Sequence, residues 1–221
     1  MATEIKGIDV SKHQASSTKP YKSKVNFDEL KKLGYEFVML RAGYGMYPSQ
    51  KDRAFENHYL AALKAGLHIG AYHYSYATTK KEAEREAECF LGWIKDKKLD
   101  YPVAFDMEDK SQKGLSVKQR TDIAKAFMSK VEKAGYYTML YCSADWAKNK
   151  LDMQQLKHFD VWLACYTSEA RRKELYKHPV LGMWQYSSSI ILPEVYNSRL
   201  DHNVAYRDYA KIIRRAGLNG F

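Results

Sequence analysis

Three segments of the chain share one pattern: the end of an amphipathic helix carrying lysine, then a glycine, then a short apolar run. They read LKKLGYEFVMLRAGY, LKAGLHIGAYHYSY and VEKAGYYTMLYCS. Gly34, Gly66 and Gly135 fit the left-handed position at which many helices end, and short helix-to-strand loops let a strand follow at once. A fourth helix end, IRRAGLNGF, closes the chain. This alternation of helix and strand predicts a parallel sheet with helices packed around it.

Two long helices are predicted between these segments. Residues 79–97 and residues 117–134 both place apolar side chains on one face at helical spacing. Each range begins with a sequence that fits a capping box, TKKE in the first and SVKQ in the second. The stretch at 15–24, ASSTKPYKSK, near the start of the chain, is predicted to be a loop.

Eight apolar runs predict strands. They lie near residues 5–10, 37–42, 68–74, 102–108, 137–142, 160–165, 181–186 and 199–204. Full helices become fewer late in the chain, which predicts an α/β, TIM-like barrel whose second half is irregular. A chain of 221 residues that is 45% hydrophobic can bury one sizeable core. No linker or low-complexity run divides it, so we expect a single domain over residues 1–221.

Charge and cysteine content narrow the classes of function. The 36 Lys and Arg against 26 Asp and Glu give a net charge of +10, which favours an anionic partner. The basic residues are spread along polar helix faces, so we expect no nucleic-acid partner. No run approaches the roughly 20 apolar residues of a membrane span. The odd number of cysteines (Cys89, Cys142 and Cys165) without a C-x-x-C motif disfavours a disulfide framework or a zinc site.

Acidic residues stand at the ends of predicted strands. Asp9 ends the first strand, Asp106 and Glu108 end the fourth in YPVAFDMED, and Asp201 lies by the last. In a parallel βα barrel the carboxyl ends of the strands surround one mouth, where catalytic groups gather. On a strand, Asp106 and Glu108 would point to the same side with Cα atoms roughly 6.7 Å apart, while Met107 would point into the packing layer.

Crowded carboxyls suggest acid–base chemistry. Repulsion between them raises at least one pKa, and a carboxyl that keeps its proton near neutral pH can act as a general acid. The short separation of Asp106 and Glu108 is typical of glycosidases that retain configuration. Two other interpretations of a D-x-E pair remain open: a helix cap or surface ion pair, and an oxygen-rich site for Mg²⁺ or Ca²⁺.

Aromatic residues at predicted strand ends agree with a sugar ligand, since rings with an apolar face and a polar rim suit sugar stacking. The candidates are Tyr44, Tyr72, Tyr74, Tyr141, Trp162, Tyr166, Trp184 and Tyr186. Half of them are expected to pack between barrel and helices instead. We expect Tyr72 and Tyr74 to face the mouth and His73 to be a packed, hydrogen-bonded histidine.

Six motifs in order resemble glycoside hydrolase family 25, the Chalaropsis-type lysozymes or N-acetylmuramidases. They are GIDVSKHQ, AGLHIGAYHYSYA, YPVAFDMED, GYYTMLYCS, VWLACY and MWQYSSS…LDHNVAY, and the resemblance runs from Ile5 to about Tyr209. It implies a flattened, irregular (β/α)5(β)3 barrel. It also implies hydrolysis, without metal or other cofactor, of the β-1,4 bond between N-acetylmuramic acid and N-acetylglucosamine in peptidoglycan.

The resemblance also implies roles for individual residues. Glu108 matches the general acid/base, and Asp106 matches the group that stabilises the transition state or orients the substrate's 2-acetamido group. Asp9 and Asp201 would line the cleft. Retention is expected, with the nucleophile left open between an enzyme carboxylate and the acetamido oxygen.

Substrate binding is assigned to a larger set of residues. The set is Tyr72, Tyr74, Tyr44, Arg41, Tyr141, Trp162, Tyr166, Trp184 and Gln185.

Three positions depart from the family pattern. His13 stands where tryptophan is frequent, Arg41 where many members carry lysine, and IILPEVYNSR replaces a glycine-rich turn before the last aspartate. These departures bear on how sugars are held and on the placement of Asp201.

The expected partners are peptidoglycan glycan strands and anionic wall polymers, with no membrane partner, and the expected state is a monomer. The N-terminus has no apolar segment typical of a secretory signal. We therefore expect a protein, secreted by another route or phage-encoded, that acts at the bacterial cell wall, or a catalytic domain from a longer chain. Two other hypotheses are a wall-binding module without catalysis and a metal-dependent phosphoesterase.

Overall fold

The protein folds into a closed barrel of eight strands that follow one another in sequence order. The computed structural model describes residues 4–176 and 180–221. The strands are β1 Ile5–Val10, β2 Phe37–Tyr44, β3 His68–Tyr74, β4 Val103–Asp106, β5 Thr138–Ser143, β6 Asp160–Ala164, β7 Leu181–Leu192 and β8 Tyr196–Ala205. All eight predicted strands are therefore present, and the irregular TIM-like barrel is confirmed.

Helices alternate with the first six strands and then fade. They are α1 Phe27–Lys32, α2 Phe55–Lys64, α3 Lys80–Ile94, α4 Val117–Lys133, α5 Ala144–Asn149, α6 Glu169–Leu175 and α7 Tyr209–Ala216. The two predicted capping boxes start α3 and α4, where Thr79 and Ser116 accept from the amides of Glu82 and Gln119. The glycines predicted at helix ends, Gly34, Gly66 and Gly135, have φ of 81°, 70° and 89°.

The prediction of a wholly parallel sheet is wrong for one strand. β1 to β7 run parallel, but β8 runs antiparallel to both of its neighbours, β7 and β1. The reason is the connection: only residues 193–195 join β7 to β8. So short a link forms a hairpin, whereas a parallel neighbour needs a crossover of a dozen or more residues. The reversal brings the early part of β8 to the barrel end where the other strands finish.

Strand alternation separates two apolar layers. On β4, Val103 and Phe105 face the helices, while Ala104 faces the barrel interior. On β6, Leu163 packs outside and Trp162 inside. Because side chains alternate along each strand, the inward positions near the carboxyl ends can present polar groups to one mouth.

The other end of the barrel, where the parallel strands begin, is filled by aromatic side chains and α7. Tyr101 stacks on Phe37 with centroids 4.5 Å apart, and the Tyr209 ring lies 5.7 Å from that of Tyr101. A cavity of about 440 Å³ lies at this end, and its lining includes Glu36 and His68. We call it the opposite-end cavity.

Candidate active site

A second cavity, of about 270 Å³, opens at the carboxyl ends of the parallel strands. All four predicted carboxyls line it: Asp9, Asp106, Glu108 and Asp201. We call it the carboxylate cavity. Asp9 and Asp201 are register partners on the antiparallel strands β1 and β8, and opposite residues of such a pair project from the same face. The hairpin therefore explains why Asp201, in the middle of β8, faces this mouth.

Glu108 reaches the cavity differently from the prediction. β4 ends at Asp106, which is the last register partner of Tyr74 at the end of β3. Glu108 lies beyond the strand, in the connection to α4, and is exposed at the rim. The prediction that both residues lie on one strand is wrong, because the ladders of β4 with both β3 and β5 end at Asp106. Met107, between them, is buried in the outer apolar layer, as predicted.

Asp9 is buried and held by two side-chain amides. Gln185 Nε2 donates to Asp9 Oδ2 at 2.8 Å, and Asn203 Nδ2 donates to the same oxygen at 2.9 Å. Burial raises the pKa of Asp9 well above its ordinary value, and the nearby Asp201 carboxylate raises it further. The two amide hydrogen bonds act in the opposite direction without cancelling this effect.

The other three carboxyls are also biased toward the protonated form. Burial raises the pKa of Asp106 well above its ordinary value, with Glu108 and Asp9 adding to the shift and Arg41 opposing it. The pKa of Glu108 is raised chiefly by loss of solvent around the carboxyl, and the Asp201 and Asp109 carboxylates raise it further. Burial raises the pKa of Asp201 as well. Four acids that disfavour one another's charge can hold a proton available for transfer.

One cationic side chain enters this group. Among the described residues that line the cavity, Arg41 is the only Lys or Arg. Its Nε donates to Asp52 Oδ2 at 2.8 Å, and Asp52 is fixed in turn by the amides of Lys12 and Ala54. The ion pair with Asp52 therefore clamps the Arg41 side chain in position. The positive charge of Arg41 favours the ionised form of Asp106.

Most of the predicted substrate-binding residues line the same cavity. Those that do are Arg41, Tyr72, Tyr74, Tyr141, Trp162, Tyr166 and Gln185. Gln185 organises one wall, because its Oε1 accepts from the hydroxyls of both Tyr141 at 2.9 Å and Tyr166 at 2.7 Å. The predicted inward orientation of Tyr72 and Tyr74 agrees with this lining. His73 between them is buried, as predicted, with Nε2 3.4 Å from Glu86 Oε2. The prediction that it is hydrogen-bonded is wrong, because neither ring nitrogen makes a hydrogen bond within the described residues.

Two predicted substrate-binding residues lie outside the lining. Trp184 faces the outer layer, where its Nε1 donates to the Cys165 carbonyl at 2.8 Å, because its neighbour Gln185 takes the inward position on β7. Tyr44 contacts the Tyr76 ring at 6.1 Å between centroids instead. Neither side chain reaches the carboxyls.

Some residues of the site were not predicted as such. Ser11 and His13, just after β1, line the cavity, while Asn203 and Asp52 hold its charged groups. Asn203 could have been found, since it lies two positions after Asp201 on one strand and therefore shares its face. No sequence pattern points to Asp52 in the same way. It contacts Arg41 only because the loop after β2 folds back onto that strand.

Within residues 4–176 and 180–221, no group of three or more His, Cys, Asp or Glu side chains is arranged to hold a metal ion. In the same part of the chain, no helix has the length and apolar character required to cross a membrane.

Comparison with known proteins identifies the family. The model for glycosyl hydrolases family 25 matches residues 8–195, a range that includes Asp9, Asp106 and Glu108. This chain belongs to glycosyl hydrolases family 25. The family inferred from the six ordered motifs is thus confirmed.

Individual relatives agree with this membership. Over 162 residues the chain is 30% identical to an autolytic lysozyme of Clostridium acetobutylicum, a match covering 73% of this chain and 45% of the relative. The chain therefore spans less than half the length of that relative. The family 25 lysozyme of Aspergillus fumigatus superposes with a TM-score of 0.72 at 26% identity, over 97% of this chain and 99% of the other.

The fold recurs in a further solved structure. The CTP1L endolysin superposes with a TM-score of 0.77 at 23% identity, over 96% of this chain and 70% of that one. This similarity concerns the barrel alone.

Proposed function

We propose that the protein is a peptidoglycan hydrolase that cleaves the β-1,4 bond between N-acetylmuramic acid and N-acetylglucosamine with retention of configuration. The observation that carries the proposal is the gathering of Asp9, Asp106, Glu108 and Asp201 around one cavity whose lining includes a single clamped Arg41. Membership of glycosyl hydrolases family 25 supports this reaction class. The whole chain, residues 1–221, acts as one catalytic domain and as a monomer.

Glu108 is the general acid/base. Its pKa is raised, so it can deliver a proton to the departing glycosidic oxygen and then take one from the attacking water. Its position at the rim suits this role, because the leaving sugar and the incoming water both need access from solvent. General acid catalysis of this kind contributes roughly 10²–10⁴-fold in rate.

Asp106 supports the positive charge that develops on the sugar. Its Oδ1 is buried and accepts no hydrogen bond within the described part of the chain, so it is available to the sugar ring or to the N–H of the 2-acetamido group. Arg41 favours its ionised form. Asp9 and Asp201 line the same mouth, and Asp201 contributes to the raised pKa of Glu108. The attacking group is either an enzyme carboxylate or the acetamido oxygen, since family-level chemistry includes both routes.

The substrate class explains the charge of the protein. Cell walls carry anionic polymers, and a net charge of +10 attracts the enzyme to them. The proposed partners are thus the glycan strand in the carboxylate cavity and wall polyanions along the basic surface. The proposed place of action is the bacterial cell wall.

The decisive experiment is product analysis on purified walls. We expect new reducing ends to be muramic acid, and NMR spectra recorded during the first turnovers to show the β-anomer. Reducing ends on glucosamine instead would refute the assigned bond, and an initial α-anomer would refute retention. The proposed reaction uses no metal, so EDTA is expected to leave wall clearing unchanged; loss of clearing would favour the phosphoesterase alternative.

A further inference from the structure

Beside the carboxylate cavity, the connections that follow β2 and β3 enclose a smaller hollow of about 190 Å³. Its walls include Tyr47 and Tyr76, which are 52% and 44% exposed, and its edge carries the polar side chains of Gln50, Thr78 and Glu82. We call it the tyrosine hollow. Large aromatic side chains left this open, with a few polar groups at the margin, are typical of ligand-binding surfaces.

Aromatic rings in edge-to-face contact link the hollow to the carboxylate cavity. The Tyr76 ring lies 5.2 Å from that of Tyr74, which lines the carboxylate cavity, and 6.1 Å from that of Tyr44. The Arg41 guanidinium, which also lines the cavity, lies 5.8 Å from the Tyr44 ring centre. A chain-like ligand that leaves the cavity on this side therefore meets aromatic surface directly.

The backbone amides of both exposed tyrosines donate to fixed side chains. Gln50 Oε1 accepts from the Tyr47 amide at 2.9 Å, and the buried Glu86 accepts through Oε1 from the Tyr76 amide at 2.9 Å. Gly45, with φ of 63°, makes room for this arrangement, since a Cβ there would lie 2.5 Å from Gln50 Oε1. A backbone that is fixed before binding loses little conformational entropy when a ligand docks on the side chains it carries.

We propose that Tyr47 and Tyr76 form an outer subsite that binds one more sugar ring of the glycan strand, beyond the sugars held in the carboxylate cavity. The inference rests on the proposed function, because the occupant is the continuation of the same strand. Pyranose rings have apolar faces and polar edges, which match the exposed tyrosine faces and the polar side chains at the margin of the hollow. The continuity of the two surfaces favours the strand itself over a peptide attached to it.

The test uses glycan oligomers of four and eight sugars without stem peptides. Calorimetric titration of the Glu108→Gln protein measures binding without turnover. We expect the eight-sugar oligomer to bind more tightly, and Tyr76→Ala to reduce that advantage about three- to tenfold. Tyr76→Phe keeps the ring and should keep the advantage. Leu60→Ala is the matched control, since Leu60 is exposed on α2 and lines neither the cavity nor the hollow.

Three results would overturn the subsite. The first is a Tyr76→Ala protein with the full preference for eight sugars, and the second is an equal loss for both lengths. The third is a preference that needs stem peptides on the oligomer. Failure of the proposed function is seen separately, as an absence of new reducing ends when the protein with Glu108 intact is incubated with either oligomer. The titration still reports on the subsite in that case.

Discussion

The two ends of the barrel both bury acidic side chains, but within the described residues the cations available to those acids differ between the ends. At the end where the strands begin, Asp100 accepts hydrogen bonds from His68 Nδ1 and Arg214 NH2, both at 2.7 Å, and from the Ile69 amide at 2.9 Å. Burial raises the pKa of Asp100, but these partners, His68 and Arg214 foremost, lower it more, so the net pKa lies below its ordinary value. At the other end, the pKa of Asp9 is raised by burial and by Asp201.

The comparison teaches that cavity size does not indicate which end carries the acids with raised pKa. The opposite-end cavity, at about 440 Å³, is larger than the carboxylate cavity, at about 270 Å³. Its lining includes a paired acid, Glu36, whose carboxylate lies 2.8 Å from Lys31 Nζ. Burial and neighbouring acids oppose the ionisation of a carboxyl and raise its pKa. Such a carboxyl can hold and transfer a proton near neutral pH, so a raised pKa indicates a functional site.

The largest expected effect concerns one Glu→Gln exchange at each end. Glu108→Gln removes the proposed proton donor, so the rate of wall clearing should fall by at least about 10²-fold. Glu36→Gln removes only an exposed ion pair of the kind that contributes about 0–1 kcal/mol, so clearing should stay near the wild-type rate. Turbidity loss of purified walls measures both.

Melting temperatures of the two proteins serve as the control for folding. Equal clearing by Glu108→Gln and wild type would contradict the assignment of Glu108. A large loss in Glu36→Gln, with unchanged melting, would contradict the contrast between the two ends.

The next largest effect is on the free energy of unfolding, which two Asp→Asn substitutions should change in opposite directions. Asp100→Asn should lower the free energy of unfolding at pH 7 by about 1–3 kcal/mol, because it weakens hydrogen bonds to a charged group. Asp9→Asn should raise it, because the amide keeps one oxygen for Gln185 and Asn203 while the repulsion from Asp201 disappears. Urea unfolding of the two variants and the wild type measures this. Destabilisation by Asp9→Asn as large as that by Asp100→Asn would refute the contrast.

The pH dependence of these differences follows from the pKa directions. An acid with a raised pKa in the folded state stabilises fully below its unfolded pKa, about 3.9, and that contribution is lost as the pH rises through the folded pKa. The advantage of Asp9→Asn should therefore be largest at neutral pH and shrink toward pH 4. Asp100, with a lowered pKa, stabilises above about pH 3.9 and loses its contribution as the pH falls through its folded value. The deficit of Asp100→Asn should persist at pH 5 and vanish in stronger acid.

Thermal melts of both variants from pH 3 to pH 8, each compared with wild type, follow the two trends. Differences that do not change with pH would show that neither aspartate acts through its charge.

The smallest expected effect is that of salt, which should act on the exposed basic surface but not on the buried carboxyls. Rising salt should slow wall clearing several-fold, because the Debye length falls from about 10 Å at 0.1 M to about 3 Å at 1 M and screens the basic surface. Cleavage of a short soluble glycan, which depends on the buried carboxyls, should change little. Clearing that is independent of salt would remove the proposed role of wall polyanions.

Local patterns sufficed for much of the fold. The capping sequences located the starts of α3 and α4, and the apolar runs located all eight strands, because these features depend on neighbours within a few residues. Alternation on a strand also explains the inward placement of Asp9 and Asp106. Applied strictly, it would have rejected the joint assignment of Trp184 and Gln185, since adjacent strand residues cannot both face the cavity.

Other features of the site depend on contacts between distant parts of the chain. The Arg41–Asp52 clamp requires the connection after β2 to fold back, and the hydrogen bond from Asn203 to Asp9 joins the two ends of the barrel sequence. The end of β4 at Asp106 is where its ladders with β3 and β5 both stop, and no pattern within β4 records this.

The sequence by itself determined the order of strands and helices and the face on which each strand carries its acids, because hydrophobic periodicity and capping act locally. Only the tertiary structure decided that β8 is reversed and sets Asp201 opposite Asp9, and that Asp100 has cationic partners while the acids of the carboxylate cavity share one clamped arginine. The physical reason is that a pKa depends on burial and on distances between charges, and both are fixed only when remote segments close the barrel.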